Sequence, residues 1–154
     1  MAIRPVVPSD CSTLSQLVEA NIRNIHIGTF SPDGLEVWIA DYSPDRLLKR
    51  LRKQSLFCYE ENGQLLGMIG LNDSEIIGLY VHPEATGRGL GRQLVAHLEA
   101  FAKKQDLEEL HLTSNLPMQG FYERLGYEPR GLTLVHLRGH DYEEMRFVKK
   151  LSRP

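Results

Sequence analysis

The sequence has few cysteines, no long hydrophobic run and no secretion signal, and each absence excludes a class of protein. Only two cysteines, Cys11 and Cys58, occur among 154 residues, and they form no C-x-x-C pair. A disulfide framework is therefore excluded, and the thiols fit a reducing compartment. No apolar segment approaches the roughly 20 residues of a membrane span, and the N-terminal segment lacks the apolar core of a signal peptide. We expect a soluble, cytoplasmic protein that does not bind membranes.

The sequence also lacks an excess of either charge. Its 18 lysines and arginines are balanced by 20 acidic residues, which gives a net charge of −2. No basic stripe is available for a polyanion, so nucleic-acid binding is not expected. The six histidines form no H-E-x-x-H motif and no Cys/His pair at zinc spacing, so no metal site is predicted. The length fits a single domain over residues 1–154.

The most informative stretch is residues 75–105, which reads as a strand, a glycine-rich turn and a helix. A β-branched apolar run ends before Pro83, and apolar residues recur at helical spacing from Leu94 onward. Between them, glycines occupy every second position: Gly87, Gly89 and Gly91. The first turn of a helix has backbone N–H groups without intrahelical partners, so this turn is a candidate anion cradle, and phosphate is the natural anion.

The spacing of these glycines disfavours two common phosphate ligands. There is no G-x-x-x-x-G-K-[ST] motif for ATP, and the G-x-G-x-G run lacks the third-glycine spacing of the dinucleotide fingerprint. The stretch instead resembles the acyl-CoA signature of the Gcn5-related N-acetyltransferase (GNAT) superfamily, in which a strand ending in Val-x-Pro precedes Arg or Gln, two residues, Gly, one residue, and Gly or Ala. Val81-His82-Pro83 and the segment from Thr86 to Gly91 match this signature.

This resemblance implies acetyl-CoA as acetyl donor, bound mostly by backbone N–H groups. Thr86 departs from the family, which usually has Arg or Gln there, and we expect a weakened contact without loss of binding. In relatives a bulge splays the strand from its neighbour, and its backbone binds the pantetheine and polarises the acetyl oxygen. The implied cofactor-binding residues are Leu79, Val81, Thr86, Gly87, Arg88, Gly89, Leu90, Gly91, Arg92, Asn115 and Tyr122.

A second motif, residues 115–127, resembles the family's F-Y-x-x-x-G-F box, with Tyr127 for the final Phe. In the resembled enzymes the residue at Asn115 contacts the CoA arm, and the residue at Tyr122 directs its hydroxyl at the thioester sulfur. The thiolate that leaves must be protonated, and a positioned phenol can donate that proton. Tyr122 is therefore our candidate general acid; the alternative is a core tyrosine that only packs.

Attack on the thioester also requires a neutral amine, so a base must remove a proton from the ammonium. Glu75 is the candidate base, because it begins the strand before the glycine turn and precedes Thr86 at the spacing of the catalytic glutamate in the Gcn5 histone acetyltransferases. Burial near aromatic side chains could raise its pKa. The alternatives are a solvated edge position for Glu75, Asp73 or an acid within residues 29–45 as the base, and a water chain.

The segment 29–43 is irregular in pattern and rich in large apolar side chains. Its aromatic residues Phe30, Trp38 and Tyr42 either close over the core or form the wall of an acceptor pocket, as the corresponding region does in the resembled family. Polyamines, aminoglycosides, amino acids, and protein N-termini or lysines all remain open as acceptors.

The remaining patterns predict an α+β fold with the superfamily's element order, a mixed and mostly antiparallel sheet of about seven strands with about four helices. Asn62-Gly63 marks a hairpin, and Ser9-Asp10 and Ser43-Pro44 mark helix starts. Predicted strands are 2–7, 56–60, 65–71, 76–81, 110–113, 132–137 and 145–151; predicted helices run to about 27, with Gly28 as the stop, then over 44–54, after 91, and from 117 to 126.

These patterns predict an N-acetyltransferase that transfers the acetyl group directly to an amine, since neither cysteine lies in a motif where it could serve as a nucleophile. The alternative is a non-catalytic acyl-CoA-binding sensor or interaction domain. A homodimer is possible through an exposed terminal strand at 145–151.

Overall fold

The computed structural model describes residues 3–26 and 30–152, in which seven strands form one sheet of order β1-β2-β3-β4-β5-β7-β6. The strands are β1 Ile3–Pro5, β2 Ser55–Glu61, β3 Gln64–Asn72, β4 Glu75–Val81, β5 Glu109–Ser114, β6 Glu128–Leu137 and β7 His140–Lys150. The helices are α1 Cys11–His26, α2 Pro32–Ala40, α3 Pro44–Lys53, α4 Leu90–Lys104 and α5 Gln119–Arg124. Short 3-10 turns occupy Pro8–Asp10, Pro83–Ala85 and Leu116–Met118.

The sheet is antiparallel except between β4 and β5, which run parallel and are joined across α4. The tight turn between β2 and β3 has Asn62 and Gly63 at φ 52° and 77°, as the Asn-Gly dipeptide predicts. The predicted α+β fold and strand number are confirmed. No helix in the described part of the chain is long and apolar enough to cross a membrane.

The segment predicted as irregular contains a helix, so the described chain has five helices where about four were expected. Ser31 caps α2 by accepting a hydrogen bond of 3.0 Å from the Gly34 N–H, and Pro32 takes the first turn. The same Ser-Pro-Asp signature begins α3, where it was recognised. In α2 the residues Leu35, Trp38 and Ile39 have helical spacing, but Val37 obscures the period, so the start signal was the clearer evidence.

The predicted cap of α1 was also wrong in detail. Ser9-Asp10 lies in the 3-10 turn, and the Asp10 carboxylate accepts hydrogen bonds from the Val7 N–H at 2.8 Å and from Arg4 at 2.8 and 3.0 Å. Asp10 therefore ties the entering chain to β1 and does not cap the helix. The predicted end at Ile27 and Gly28, and the start of the first strand at Ala2, lie outside the described residues.

The strands β4 and β5 separate shortly after they begin. Their pairing is limited to Glu75 opposite His111, and the β3–β4 register shifts between Met68 and Gly70. Gly78 has φ 62°, a left-handed conformation that suits glycine and marks the irregularity in β4. The opening between the two strands is the space in which the candidate site lies.

The expectation of an exposed strand at 145–151 is wrong. β7 pairs with β5 on one side and, up to Val148, with β6 on the other, so most of this segment has no free edge, and the outer strand at this end of the sheet is β6. A dimer cannot form by strand addition to β7, because its backbone groups already have partners in the sheet.

Helices cover both faces of the sheet and bury a separate core on each. On one face α4 and α5 bury a cluster that includes Leu94, Leu98 and Phe147, each fully buried. On the other face α1, α2 and α3 bury a cluster that includes Ile22 and Leu47. The two cores hold the glycine turn and the opening between β4 and β5 in fixed positions.

Candidate active site

The glycine turn presents bare backbone to open space. Gly87 and Gly89 both have φ 80°, and a Cβ built on either would meet no atom within 4 Å. Gly89 is the N-terminal cap of the 15-residue helix α4, and the first N–H groups of this helix have no intrahelical partners. A phosphate could approach this backbone closely, as the sequence predicts.

A cleft of about 400 Å³ runs from this turn along the end of β4. Its floor is Leu79 to Val81, and Arg92 and Arg124 add positive charge to its wall. Other residues that line it are Asn21, Ile25, Ala85, Thr86, Gly87, Gly89, Leu90, Gly91, Asn115, Met118 and Phe121. A phosphate-bearing ligand with an extended apolar arm fits this combination.

Two residues of the predicted cofactor motif have side chains engaged elsewhere. Thr86 Oγ1 donates a hydrogen bond of 3.0 Å to the Pro83 carbonyl within its own loop. The Arg88 guanidinium pairs with the Glu61 carboxylate at 2.7 Å, and Arg88 is not among the residues that line the cleft. At both positions, contact with a ligand in the cleft would rest on the backbone.

Asn21 on α1 is a site residue that the sequence did not reveal. It is 6% exposed, and its Nδ2 donates a hydrogen bond of 2.8 Å to the Val81 carbonyl oxygen at the end of β4. This carbonyl oxygen therefore has a hydrogen-bond partner, and the bond holds the end of β4 against α1. An asparagine inside a helix carries no motif, so only the fold reveals its partner.

A second cavity, of about 210 Å³, lies where β4 and β5 separate. We call it the acceptor cavity. It adjoins the cleft, and four residues line both spaces: Leu79, Tyr80, Asn115 and Met118. Asn115 Oδ1 is buried without a hydrogen-bond partner in the described chain, so a polar acceptor atom awaits a donor at this junction.

Tyr122 on α5 lines the acceptor cavity and is 6% exposed. Its ring packs against Phe121, Tyr127 and Phe147, while its hydroxyl makes no hydrogen bond within residues 3–26 and 30–152. Burial raises the pKa of this phenol well above its ordinary value, so it stays protonated at neutral pH. It can act as a proton donor.

Three carboxylates line the acceptor cavity, and one of them is already paired. Asp41 accepts a hydrogen bond of 2.5 Å from Arg50. Glu75 and Glu144 form no ion pair in the part of the chain that the structure describes, and no lysine, arginine or histidine of that part lines the cavity. Burial, and to a lesser degree the charge of Glu75, raise the pKa of Glu144, while a hydrogen bond from Thr113 opposes this shift.

Glu144 was missed from sequence, and one weak signal was available. Tyr142 and Glu144 alternate along β7 with exposed Glu143, so they belong to the same face of the strand. An acidic residue in register with a buried tyrosine indicates a polar cavity, but without the strand order its neighbours could not be named.

Of the aromatic residues predicted for the acceptor side, Trp38 and Tyr42 line the acceptor cavity and Phe30 does not. Trp38 Nε1 donates a hydrogen bond of 2.9 Å to the Tyr80 hydroxyl. Phe30 packs behind them, with ring centroids 5.8 Å from Trp38 and 5.3 Å from Tyr142. The aromatic segment therefore both closes the core and walls the cavity.

Comparison with known proteins agrees with this geometry. The model of the acetyltransferase (GNAT) family matches residues 20–127. A spermidine N(1)-acetyltransferase from Thermoplasma acidophilum is 29% identical over 140 residues, covering 82% of this chain and 87% of that protein. A Gcn5-related N-acetyltransferase from Rhodopseudomonas palustris superposes with a TM-score of 0.91 at 25% identity, covering 97% of this chain and 95% of the other.

The PaiA N-acetyltransferase from Thermoplasma acidophilum, solved in complex with coenzyme A, superposes with a TM-score of 0.78 at 23% identity, covering 96% of this chain and 97% of its own. The family match confirms the predicted superfamily, enzyme class and acetyl donor. The chain belongs to the acetyltransferase (GNAT) family and is an acetyl-CoA-dependent N-acetyltransferase.

Proposed function

We propose that this enzyme transfers the acetyl group of acetyl-CoA directly to a primary amine of a small, positively charged acceptor. The observation that carries this proposal is the junction of two spaces. A cleft with bare glycine backbone and arginines meets a cavity in which Glu75 and Glu144 form no ion pair within the described chain, with Asn115 shared by both spaces and Tyr122 in the cavity wall. One space suits the phosphates of the donor, and the other suits an ammonium.

The chemical roles follow from this arrangement. Acetyl-CoA supplies the acetyl group as an activated thioester, and the separated part of β4 around Leu79 offers backbone groups to the acetyl oxygen. Tyr122 is protonated at neutral pH and donates its proton to the departing thiolate. A carboxylate of the acceptor cavity takes the proton of the incoming ammonium, and Glu75 is the candidate from the sequence.

The acceptor class is supported by charge. An unpaired carboxylate in a partly buried cavity is costly unless a cation joins it, and an alkylammonium is such a cation. The acetyltransferase from Thermoplasma acidophilum that carries the name of a spermidine enzyme is among the relatives of this chain. We therefore place polyamines ahead of neutral amines and anionic amino acids as acceptors. A cytoplasmic location and a homodimer stay predictions.

The test is thiol release from acetyl-CoA with a panel of spermidine, 1,4-diaminobutane, kanamycin, glutamate and an alanine-terminated peptide. We expect release of CoA above the hydrolysis background with spermidine or the diamine, and little with glutamate. Turnover with glutamate and none with a cationic amine would overturn the acceptor class.

Calorimetric titration tests the donor site separately. The Gly89→Trp variant should lose micromolar binding of acetyl-CoA, because the indole would fill the space over the helix N-terminus. The matched control is Gly63→Trp, at φ 77° and equally open, on the hairpin between β2 and β3. Equal affinity of the two variants would contradict the assignment of the cleft.

A further inference from the structure

We infer that Glu144, on the last strand, is a further catalytic residue that accepts the proton of the acceptor's ammonium. This inference rests on the proposed function, since it assigns a residue to the same reaction. Glu144 lies outside residues 20–127, the part that the family model matches. The assignment therefore depends on this chain's own geometry.

The first argument is position. Thr113 on β5 and Glu144 on β7 both line the acceptor cavity, and β5 pairs with β7 through Ser114 opposite Met145, the next residue. Glu144 is thus held beside the opening between β4 and β5, on the wall of the acceptor cavity. The carboxylate oxygens carry several lone pairs and can accept a hydrogen bond from an incoming N–H donor.

The second argument is the neighbouring Tyr122. Tyr122 and Glu144 line the same cavity, and after burial and Tyr42 the charge of Glu144 adds to the raised pKa of this phenol. Tyr122 is 6% exposed and lines the cavity, and its hydroxyl has no hydrogen-bond partner in the described chain. The residue that accepts a proton from the amine and the residue that donates one to the thiolate therefore line the same small cavity. Acyl transfer from the thioester to the amine requires both groups close to the reacting atoms.

The third argument is the charge around Glu144. The titratable groups that line the cavity with it are Asp41, Tyr42, Glu75, Tyr80, Tyr122 and Tyr142. Asp41 is neutralised by Arg50, while the nearest basic residue along β7, Arg146, lines a separate groove with Glu109 and Arg130. Among the described residues the cavity supplies no cation to Glu144, and the raised pKa of this carboxyl makes it a stronger base than an exposed glutamate.

The protons of the acetyl transfer balance. The ammonium gives one proton to Glu144, and the neutral nitrogen attacks the acetyl carbonyl carbon and forms the C–N bond. As the C–S bond breaks, the thiolate takes the proton of Tyr122, and the nitrogen returns its second proton to Tyr122. Glu144 then releases its proton to solvent, so each turnover yields amide, CoA thiol and one proton. Glu75 remains as the carboxylate that holds positive charge on the acceptor.

The experiment compares steady-state kinetics of Glu144→Gln, Glu75→Gln and Glu143→Gln with spermidine as acceptor. Glu143 is the matched control, because it is the exposed neighbour on the opposite face of β7. We expect Glu144→Gln to lower kcat about 10²-fold or more while acetyl-CoA affinity stays within twofold of wild type. Glu143→Gln should stay near wild type, and Glu75→Gln should mainly raise the KM for spermidine.

The pH profile separates a base from a structural residue. Without its base, the Glu144→Gln variant depends on free amine, so its kcat/KM should rise about tenfold per pH unit toward the amine pKa, whereas wild type levels off earlier. Glu144→Asp keeps the carboxylate one methylene further back, so it should retain the wild-type pH profile at a reduced rate. This variant tests the role of the carboxylate even if the Gln variant folds poorly.

Two outcomes would overturn the inference in distinguishable ways. If Glu144→Gln turns over as fast as Glu143→Gln, or if only Glu75→Gln changes the dependence of kcat/KM on pH, then Glu144 has no part in the reaction. The proposed function would remain intact. No turnover of any cationic amine by wild type would overturn the proposed function together with the role of Glu144.

Discussion

The side-chain amide of Asn21 on α1 donates a hydrogen bond of 2.8 Å to the main-chain carbonyl oxygen of Val81 at the end of β4. This bond joins the first helix to the strand end that borders both the glycine turn and the cleft. It satisfies a carbonyl at the place where β4 has already left β5, and therefore contributes to keeping the cleft open.

Replacing Asn21 with Leu should lower both stability and donor affinity. Leu has a similar volume but leaves the part-buried Val81 carbonyl without its donor, which should cost about 1–3 kcal/mol of unfolding free energy. We also expect weaker acetyl-CoA binding by calorimetry. Asn24→Leu, at an exposed position on the same helix, is the control. Equal urea midpoints for the two variants would contradict a structural role for this bond.

Replacing Tyr122 with Phe should remove the proton donor and little else. The ring packing against Phe147 is retained, so we expect an unchanged melting temperature and unchanged acetyl-CoA binding, with kcat reduced about 10²–10⁴-fold. The measurement is thiol release under saturating spermidine.

The control for Tyr122→Phe is Tyr59→Phe, another buried tyrosine, which lies on β2 outside both the cleft and the acceptor cavity. It should keep full turnover. Equal losses in the two variants would mean that Tyr122 acts through packing alone, which is the alternative that the sequence left open.

Replacing Glu144 with Gln should stabilise the fold at neutral and alkaline pH while it impairs turnover. Burial raises the pKa of Glu144 above its ordinary value of 4.5. Between pH 4.5 and this raised pKa, the folded state therefore binds more protons than the unfolded state. Stability of wild type therefore falls as pH rises through this window. The melting temperature of Glu144→Gln should exceed that of wild type at pH 8, and the difference should disappear below pH 4.5.

The control for this stability experiment is Glu143→Gln, whose side chain is exposed. It should follow the wild-type melting curve at each pH. A lower melting temperature for Glu144→Gln at pH 8 would show that the Thr113 hydrogen bond outweighs the cost of burying the carboxylate. A gain in stability with a loss of activity would mark Glu144 as a functional residue maintained at a structural cost.

Replacing Asp10 with Asn should lower the free energy of unfolding in a pH-dependent way. The hydrogen bonds from Arg4 are the main cause that lowers the pKa of Asp10 below 3.8, so this carboxylate adds stability above that value and loses it as pH falls through its folded pKa. We expect a loss of about 1.5–3 kcal/mol at pH 7, measured by urea unfolding.

The same Asp10 experiment has an internal check in acid. Below its folded pKa the wild-type carboxyl is itself neutral, so the difference between wild type and Asp10→Asn should shrink. Glu19→Gln removes an exposed pair with Arg23 and should cost less than about 1 kcal/mol. A pH-independent difference for Asp10→Asn would indicate that the carboxylate charge is not what stabilises the turn.

Local signals predicted most of the elements and the glycine turn. Asn62-Gly63 specified its turn and Ser43-Pro44 its helix, since both act through neighbouring backbone atoms. Gly87 and Gly89 marked an open helix N-terminus because left-handed backbone is available to glycine at no steric cost. The helix α2 was missed although Ser31-Pro32 begins it and Leu35, Trp38 and Ile39 have helical spacing, since the additional apolar residue Val37 obscures the period.

Contacts between distant residues were beyond local signals. Asn21 finds Val81 sixty positions along the chain, and Glu144 meets Glu75 and Tyr122 only because β7 inserts between β5 and β6. The same insertion buries the edge that the terminal strand was expected to expose.

By itself, the sequence determined the order of the elements, the glycine turn and Tyr122 as the candidate acid, because periodicity, turn residues and short motifs act over a few residues. The tertiary structure alone decided which carboxylates share the acceptor cavity, that Arg50 pairs with Asp41, and that Glu144 lines the same cavity as Tyr122. The physical reason is that the charge state of a buried group depends on its neighbours in space, and those neighbours are set by strand order and by the separation of β4 from β5.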